Sequence, residues 1–188
     1  MNIILASNSP RRKELLAGLG LKFDVRTMPG IDESFPDHLS GEEIALHISS
    51  NKASAYLDTL SEDELLITAD TIVYLKGRVL GKPVDAADAC RMLHELSGCT
   101  HQVITGVTIA TRERQHSFAS VSEVTFASLT DEEIDYYISY YRPFDKAGAY
   151  GIQEWIGFIG VERIEGSYFN VMGLPVQRLY AELKQFGV

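Results

Sequence analysis

Cysteine is almost absent from this chain. Cys90 and Cys99 are the only two, and without a second pair they build neither a zinc cluster nor a disulfide framework. That usage fits a reducing cytosol. No apolar run approaches the length of a membrane span, and no positively charged region precedes the short apolar run at the N-terminus. Neither a transmembrane segment nor a signal peptide is therefore expected, and the expectation is a cytoplasmic protein. Basic charge is also short: 17 Lys and Arg stand against 26 Asp and Glu, a formal charge of −9, which argues against broad nucleic-acid binding. Several catalytic signatures are missing as well. There is no Gly-x-x-x-x-Gly-Lys-Ser/Thr phosphate loop, no Gly-x-Gly-x-x-Gly, no His-Glu-x-x-His and no Gly-x-Ser-x-Gly elbow. A Ser-His-Asp triad stays open, because spacing does not exclude it. Repeats, low-complexity segments and linkers are absent.

What is present is ordinary for a globular domain: 188 residues, 45% apolar and 23% charged, enough for a real core. The reading is a single domain over residues 1–188, or one domain with a sizeable lobe. Asn2 to Ala6 reads as a buried strand, followed by Ser9 as N-cap and Pro10 as first helical residue. Gly18 and Gly20 stop that helix, and Leu21 to Val25 alternates like a half-buried strand. Met28 to Pro36 is a loop holding adjacent carboxylates at Asp32 and Glu33. Ser40-Gly41-Glu42-Glu43 reads as a capping box opening a helix to about Leu60, with Ile44, Ile48 and Ala55 on one face and Lys52 near its edge. Two apolar runs, Leu65 to Ala69 and Ile72 to Leu75, flank Asp70-Thr71, and Lys76-Gly77-Arg78 suggests a hairpin turn.

A helix is expected over Asp85 to Ser97 with Gly98 as its stop, then a strand over His101 to Ala110 paired with Ser117 to Ala127. Thr130 to Glu133 is a second capping box. Its helix carries Ile134, Tyr137, Ile138 and Tyr141 at core spacing. Phe158 to Ile164 reads as a strand and Gly166 to Pro175 as a turn-rich link. The last helix has Val176, Leu179, Tyr180 and Leu183 on its apolar face. Intermixed strands and helices make the class α/β with a mixed sheet.

Ser7, Ser9, Arg11 and Arg12 crowd the start of the first helix, where free backbone N–H groups and the positive dipole end favour an anion. Arginine forks add charge-assisted bonds to a phosphate. The alternative is an ordinary capped helix with its arginines in solvent. Lys52, Lys82 and Lys146 are further candidate anion binders, and Glu33 and Asp70 are the candidate carboxylates. Asp70 between apolar runs is costly to bury unpaired, so it either serves chemistry or caps a turn or pairs with a structural arginine. His101 reads as a hydrogen-bonded structural histidine. Asp145 to Gln153 is rich in small residues that let backbone approach a ligand. A basic phosphate cradle with oxygen ligands for a hard cation such as magnesium suits phosphoanhydride hydrolysis.

The same residues carry a resemblance. Ser7-x-Ser9-Pro10-Arg11-Arg12-x-Glu14-Leu15-Leu16, Ala69-Asp70-Thr71, Gly81-Lys82-Pro83, Leu96-Ser97-Gly98 with His101-x-Val103-x-Thr105-Gly106, Asp145 to Gln153, and Gly173-Leu174-Pro175 resemble the motif series of the Maf family of nucleoside triphosphate pyrophosphatases. The match spans nearly the whole chain in order. It implies a mixed central sheet flanked by helices, similar to inosine triphosphate pyrophosphatase-like folds, with two lobes around a cleft. It also implies hydrolysis of a nucleoside triphosphate to the monophosphate and pyrophosphate, with a divalent cation, Mg or Mn, and, by resemblance alone, a homodimer. Asp70 matches the family's catalytic base and, with Glu33, its metal side. Ser7, Ser9, Arg11, Arg12, Lys52, Thr71 and Lys82 match substrate-side positions, and Gln153 closes the base side. Arg12, Thr71 and the Ala-Tyr-Gly-Ile-Gln run resemble the branch acting on dTTP and UTP rather than the one acting on 7-methyl-GTP. A glutamine amide, both donor and acceptor, suits a uracil or thymine edge. One departure stands out: Glu154-Trp155-Ile156 replaces the family's small glycine-containing stretch.

Two other readings share the cradle: a nucleotide-binding regulatory module that turns over little, and a hydrolase of methylated guanine nucleotides. Asp70 separates the first from an enzyme, since a pure binder gains nothing from a carboxylate beside a triphosphate.

Overall fold

The computed structural model describes residues 1–188. Its strands, β1 (Asn2–Leu5), β2 (Phe23–Val25), β3 (Glu64–Leu75), β4 (Arg78–Leu80), β5 (Thr100–Ala110), β6 (Gln115–Phe126) and β7 (Val161–Glu165), form one seven-stranded mixed sheet in the order β2-β1-β3-β5-β6-β7, with β4 paired to β3. The chain divides into two compact units, one made of Met1–Thr71, Thr105–Ser120 and Gly173–Val188, the other of Ile72–Ile104 and Val121–Met172. No helix is long and apolar enough to cross a membrane.

In the first unit, β1 (Asn2–Leu5) runs parallel to β2 (Phe23–Val25) and to the start of β3 (Glu64–Leu75), with Ile3, Ile4 and Leu5 all buried. A strand flanked on both sides reads as a continuous apolar run, as observed. The helix α1 (Pro10–Ala17) starts as expected: Ser9 caps it, its hydroxyl accepting from the Arg12 N–H, and Pro10 occupies the first turn. The strand after it is shorter than its alternation suggests, beginning at Phe23 rather than Leu21.

The helix α2 (Glu42–Ser54) differs from expectation at both ends. Its N-cap is Gly41, with φ +47, and no side chain caps it. The Glu43 carboxylate accepts from both the Ser40 N–H and the Ser40 hydroxyl, but the Glu43 N–H bonds the Ser40 carbonyl rather than its hydroxyl, so only half of the box is formed. The helix also stops well before Leu60, giving way to a 3-10 turn at Leu57–Thr59. The core here gathers Ile4, Ala53, Tyr56, Leu60, Leu66 and Ala110.

A close approach seats α2. A Cβ on Gly106, in β5 (Thr100–Ala110), would fall 2.2 Å from the Ala45 carbonyl oxygen, so helix backbone rests directly on strand. Fully buried hydroxyls fill the next turn: Thr68 Oγ1 donates to the Ser49 carbonyl at 2.7 Å, and Ser49 Oγ lies 3.1 Å from Thr108 Oγ1. The last helix, α7 (Val176–Lys184), buries Leu179 and Leu183, but Tyr180 is exposed beneath the Lys184 ammonium rather than in the core.

In the second unit, β3 continues through Asp70 without a break and turns at Lys76 and Gly77, both with positive φ, into the antiparallel β4 (Arg78–Leu80). Asp85 caps α3 (Ala86–Leu96), and Thr130 and Glu133 form the expected capping box of α4 (Asp131–Tyr141). The strand β6 (Gln115–Phe126), which begins in the first unit, pairs antiparallel with β7 (Val161–Glu165) here. Val73, Leu93, Leu96, Phe126, Ile134 and Tyr137 belong to this unit's core. Two expectations fail. Phe158 to Gly160 lies in a short helix, α5 (Trp155–Gly160), and only Val161 onward is strand. The link after Gly166 contains another short helix, α6 (Tyr168–Met172).

Candidate active site

The first unit assembles its candidate residues from four elements. Ser7 is buried and its Oγ accepts from the Ser9 N–H at 3.2 Å, while Ser9 Oγ caps α1. Both oxygens act as acceptors within the turn, which leaves their O–H groups to donate to an anion. Arg11 and Arg12 follow, with no acidic residue in this first turn to answer the helix dipole.

Arg12 is held from two directions. Its Nε donates to the Gly173 carbonyl at 2.8 Å and its Nη2 to Thr71 Oγ1 at 3.0 Å. Thr71 Oγ1 in turn lies 2.9 Å from Thr105 Oγ1. Gly173 has φ +114, a conformation that turns its carbonyl to the guanidinium and that suits glycine. Burial lowers the Arg12 guanidinium from its ordinary value and neighbouring Arg11 adds to that, while the charges of Asp70 and Glu33 oppose it.

Those carboxylates converge on one ammonium. Lys52 Nζ lies 2.6 Å from Asp70 Oδ1 and 2.8 Å from Glu33 Oε1, with the Lys52 and Asp70 side chains largely enclosed. The pairing follows from the seating of α2. Ser49 and Lys52 are one helical turn apart, and Thr68 and Asp70 are two strand residues apart, so the Lys52–Asp70 contact lies one step beyond the Ser49–Thr68 bond. Asp70 therefore neither caps a turn nor pairs with an arginine as its hydrogen-bonded partner: its ion pair is with Lys52.

Lys82 and Gln153 belong to the second unit. Lys82 is exposed on the loop after β4, a loop stitched by the Gly148 N–H to the Gly81 carbonyl at 3.0 Å. Gly148 has φ +66, and a Cβ there would sit 2.9 Å from Val73 Cγ2, so the contact needs glycine. Gln153 is half-buried, and its Oε1 is enclosed without a hydrogen-bond partner. The enclosed Lys146 pairs with Asp145 at 2.8 Å and Glu154 at 3.1 Å. Sequence reasoning gave no site role to Thr105, Gly173 or Tyr137. The first two stand inside quoted motifs, whereas Tyr137, at core spacing, carries no local signal of a polar task. His101 is buried with Nε2 2.7 Å from the Tyr150 hydroxyl, and burial pulls it down to about 4, in keeping with a structural histidine.

The sequence model of the family described as Maf-like protein matches residues 2–186. The chain belongs to the Maf-like protein family. Among Maf-like relatives, a dTTP/UTP pyrophosphatase of Phocaeicola vulgatus is 68% identical over 183 residues, covering 97% of this chain and 95% of that protein. Proteins of the same description from Bacteroides fragilis and Flavobacterium psychrophilum are 62% and 50% identical, over 97% and 96% of this chain and 95% and 92% of their own. Among solved structures, a HAM1 protein from Coxiella burnetii is similar in fold, with a TM-score of 0.50 at 13% identity, covering 98% of this chain and 99% of that one.

Proposed function

We propose that this chain hydrolyses dTTP and UTP to the nucleoside monophosphate and pyrophosphate. The observation that carries the reading is 68% identity, over 97% of the chain, to a protein described as a dTTP/UTP pyrophosphatase. The geometry of the first unit supports it, because a carboxylate, an ammonium and a guanidinium at a helix N-terminus are the parts phosphoanhydride hydrolysis needs.

In this reading Asp70 accepts a proton from the water that attacks the α-phosphorus, and pyrophosphate leaves as the α–β bridging bond breaks. Lys52 holds the Asp70 carboxylate in place. The Ser7 and Ser9 hydroxyls, the first-turn N–H groups of α1 and the guanidinium groups of Arg11 and Arg12 bind phosphate oxygens. Thr71 and the Gly173 carbonyl fix the direction of the Arg12 fork. For Lys82 and Gln153 the family resemblance supplies the reading: a phosphate-side lysine and an amide for the pyrimidine edge.

The donor chemistry of the first unit fits a magnesium or manganese ion. Glu33 and Asp70 offer hard oxygen ligands that already converge on one positive charge, and such ions take one or two carboxylates together with water and substrate phosphate. When bound there, the ion would neutralise charge on the phosphate oxygens.

The test is pyrophosphate release from dTTP, UTP, CTP, 7-methyl-GTP and ITP with magnesium or manganese, by the wild type and by Asp70→Asn. Turnover of dTTP and UTP, lost in the variant with nucleotide binding kept, is expected. Nucleotide binding without turnover would instead mark a binding module. A cytoplasmic location and a homodimer belong to the same proposal, and sedimentation equilibrium checks the second.

A further inference from the structure

Four consecutive residues of the second unit, Gly151 to Glu154, form a turn closed by the Glu154 N–H on the Gly151 carbonyl at 2.9 Å. Both ends of that turn are tied to one phenol. Tyr137 Oη accepts from the Gly151 N–H at 3.0 Å and donates to Glu154 Oε2. The second oxygen of Glu154 is held by the Lys146 ammonium at 3.1 Å, and Lys146 is itself enclosed. The clamp presses on the turn directly: a Cβ on Gly151 would sit 3.0 Å from both Glu154 Cδ and Lys146 Cε. Burial, and next the Glu154 carboxylate, push the Tyr137 phenol up, so it remains a donor throughout the working pH range. The Tyr137 ring is fully buried on α4, and the Glu154 backbone is also tied onward, its carbonyl accepting from the Gly157 N–H at 2.9 Å.

Gln153 is the third residue of this turn. Its Oε1 is enclosed and lacks a protein donor, a state that is costly unless a ligand supplies the N–H. A uracil or thymine ring presents an N–H between two carbonyl oxygens, whereas cytosine presents a bare ring nitrogen beside an amino group. A carboxamide free to turn over satisfies either edge, because it offers a donor and an acceptor on the same carbon. One whose backbone is fixed at both ends, with its oxygen enclosed, satisfies only one. We infer that Tyr137, acting through Glu154 and the 151–154 turn, is the positioning residue that makes Gln153 prefer uracil and thymine over cytosine. The inference rests on the pyrophosphatase reading above. It also gives a task to Glu154, whose carboxylate links the Tyr137 phenol to the Lys146 ammonium.

The experiment measures kcat and KM for UTP and CTP in wild type, Tyr137→Phe, Gln153→Ala and the double variant, with melting temperatures to confirm folding. Tyr137→Phe keeps the buried ring and removes only the phenolic oxygen. It should lower the UTP-over-CTP ratio of kcat/KM about tenfold, mainly by raising KM for UTP, the effect expected for one misaligned hydrogen bond. Because Tyr137 acts through Gln153, the double variant should discriminate no worse than Gln153→Ala alone. Glu154→Gln, which leaves the tyrosine in place, should shift the ratio in the same direction. An active wild type whose ratio is unchanged in Tyr137→Phe and Glu154→Gln, or whose two losses add, overturns this inference alone. A wild type that releases no pyrophosphate overturns the reading beneath it.

Discussion

Lys52 Nζ sits 2.6 Å from Asp70 Oδ1, and it is the same atom that Glu33 approaches at 2.8 Å. One ammonium thus stands where two carboxylates converge, 18 residues along the chain from Asp70 and on a helix whose backbone rests on Gly106. This arrangement fixes the two carboxylates against a single cation, and under the proposed reaction that cation stands beside the phosphate charge.

Replacing Lys52 by Met should therefore have two opposite effects. Turnover of UTP should fall about a hundredfold, a loss typical of removing one electrostatic group from a phosphoryl site. The free protein should bind manganese more tightly, because the two carboxylates would lose the ammonium that competes for them. Titration calorimetry without nucleotide reads the second effect. An unchanged affinity would show that Lys52 and the ion do not share those oxygens.

Arg12→Lys keeps the charge but loses the fork that satisfies the Gly173 carbonyl and the Thr71 hydroxyl together. KM for UTP should rise at least about tenfold, with a melting temperature lower by about 2–4 °C for each 1 kcal/mol lost. Near wild-type kinetics would mean that a point charge suffices and that the Gly173 contact is incidental.

Gly106→Ala tests how α2 is seated. The added Cβ would fall 2.2 Å from the Ala45 carbonyl oxygen and 2.8 Å from the Leu46 nitrogen, both backbone atoms that no side-chain rotation relieves. A cost of about 3 kcal/mol or more is expected, read as a lower urea midpoint. Activity should fall as well, since a displaced α2 carries Lys52 away from Asp70.

His101 makes stability depend on pH. Burial lowers it to about 4 in the folded protein from 6.5, so between those values the unfolded chain binds the extra proton. Its contribution is complete above pH 6.5 and is lost as pH falls toward 4, by about 3 kcal/mol at most. Urea midpoints from pH 7 to pH 4 should fall more steeply in wild type than in His101→Phe. Parallel curves would assign the acid sensitivity to other groups.

Much of this protein is written locally in its sequence. Ser9 and Pro10 start α1, Thr130 and Glu133 cap α4, and Lys76-Gly77 turns β3 into β4, because these signals act through bonds spanning a few residues. Local reading fails where a short apolar run suits either state, as with Phe158 to Gly160, which packs as a helix that buries Ile156. It also fails at Tyr180, whose spacing says core and whose ring lies outside. Charge type and motif order named Glu33, Lys52 and Asp70 as candidates but not who pairs with whom. Only the tertiary structure brings Lys52 to Asp70, turns the Gly173 carbonyl onto Arg12 across 161 positions, and hands both ends of the Gln153 turn to Tyr137. Contacts of that range depend on how helix and strand backbones approach one another. That approach is set by the packing of the whole core rather than by any run of neighbouring residues.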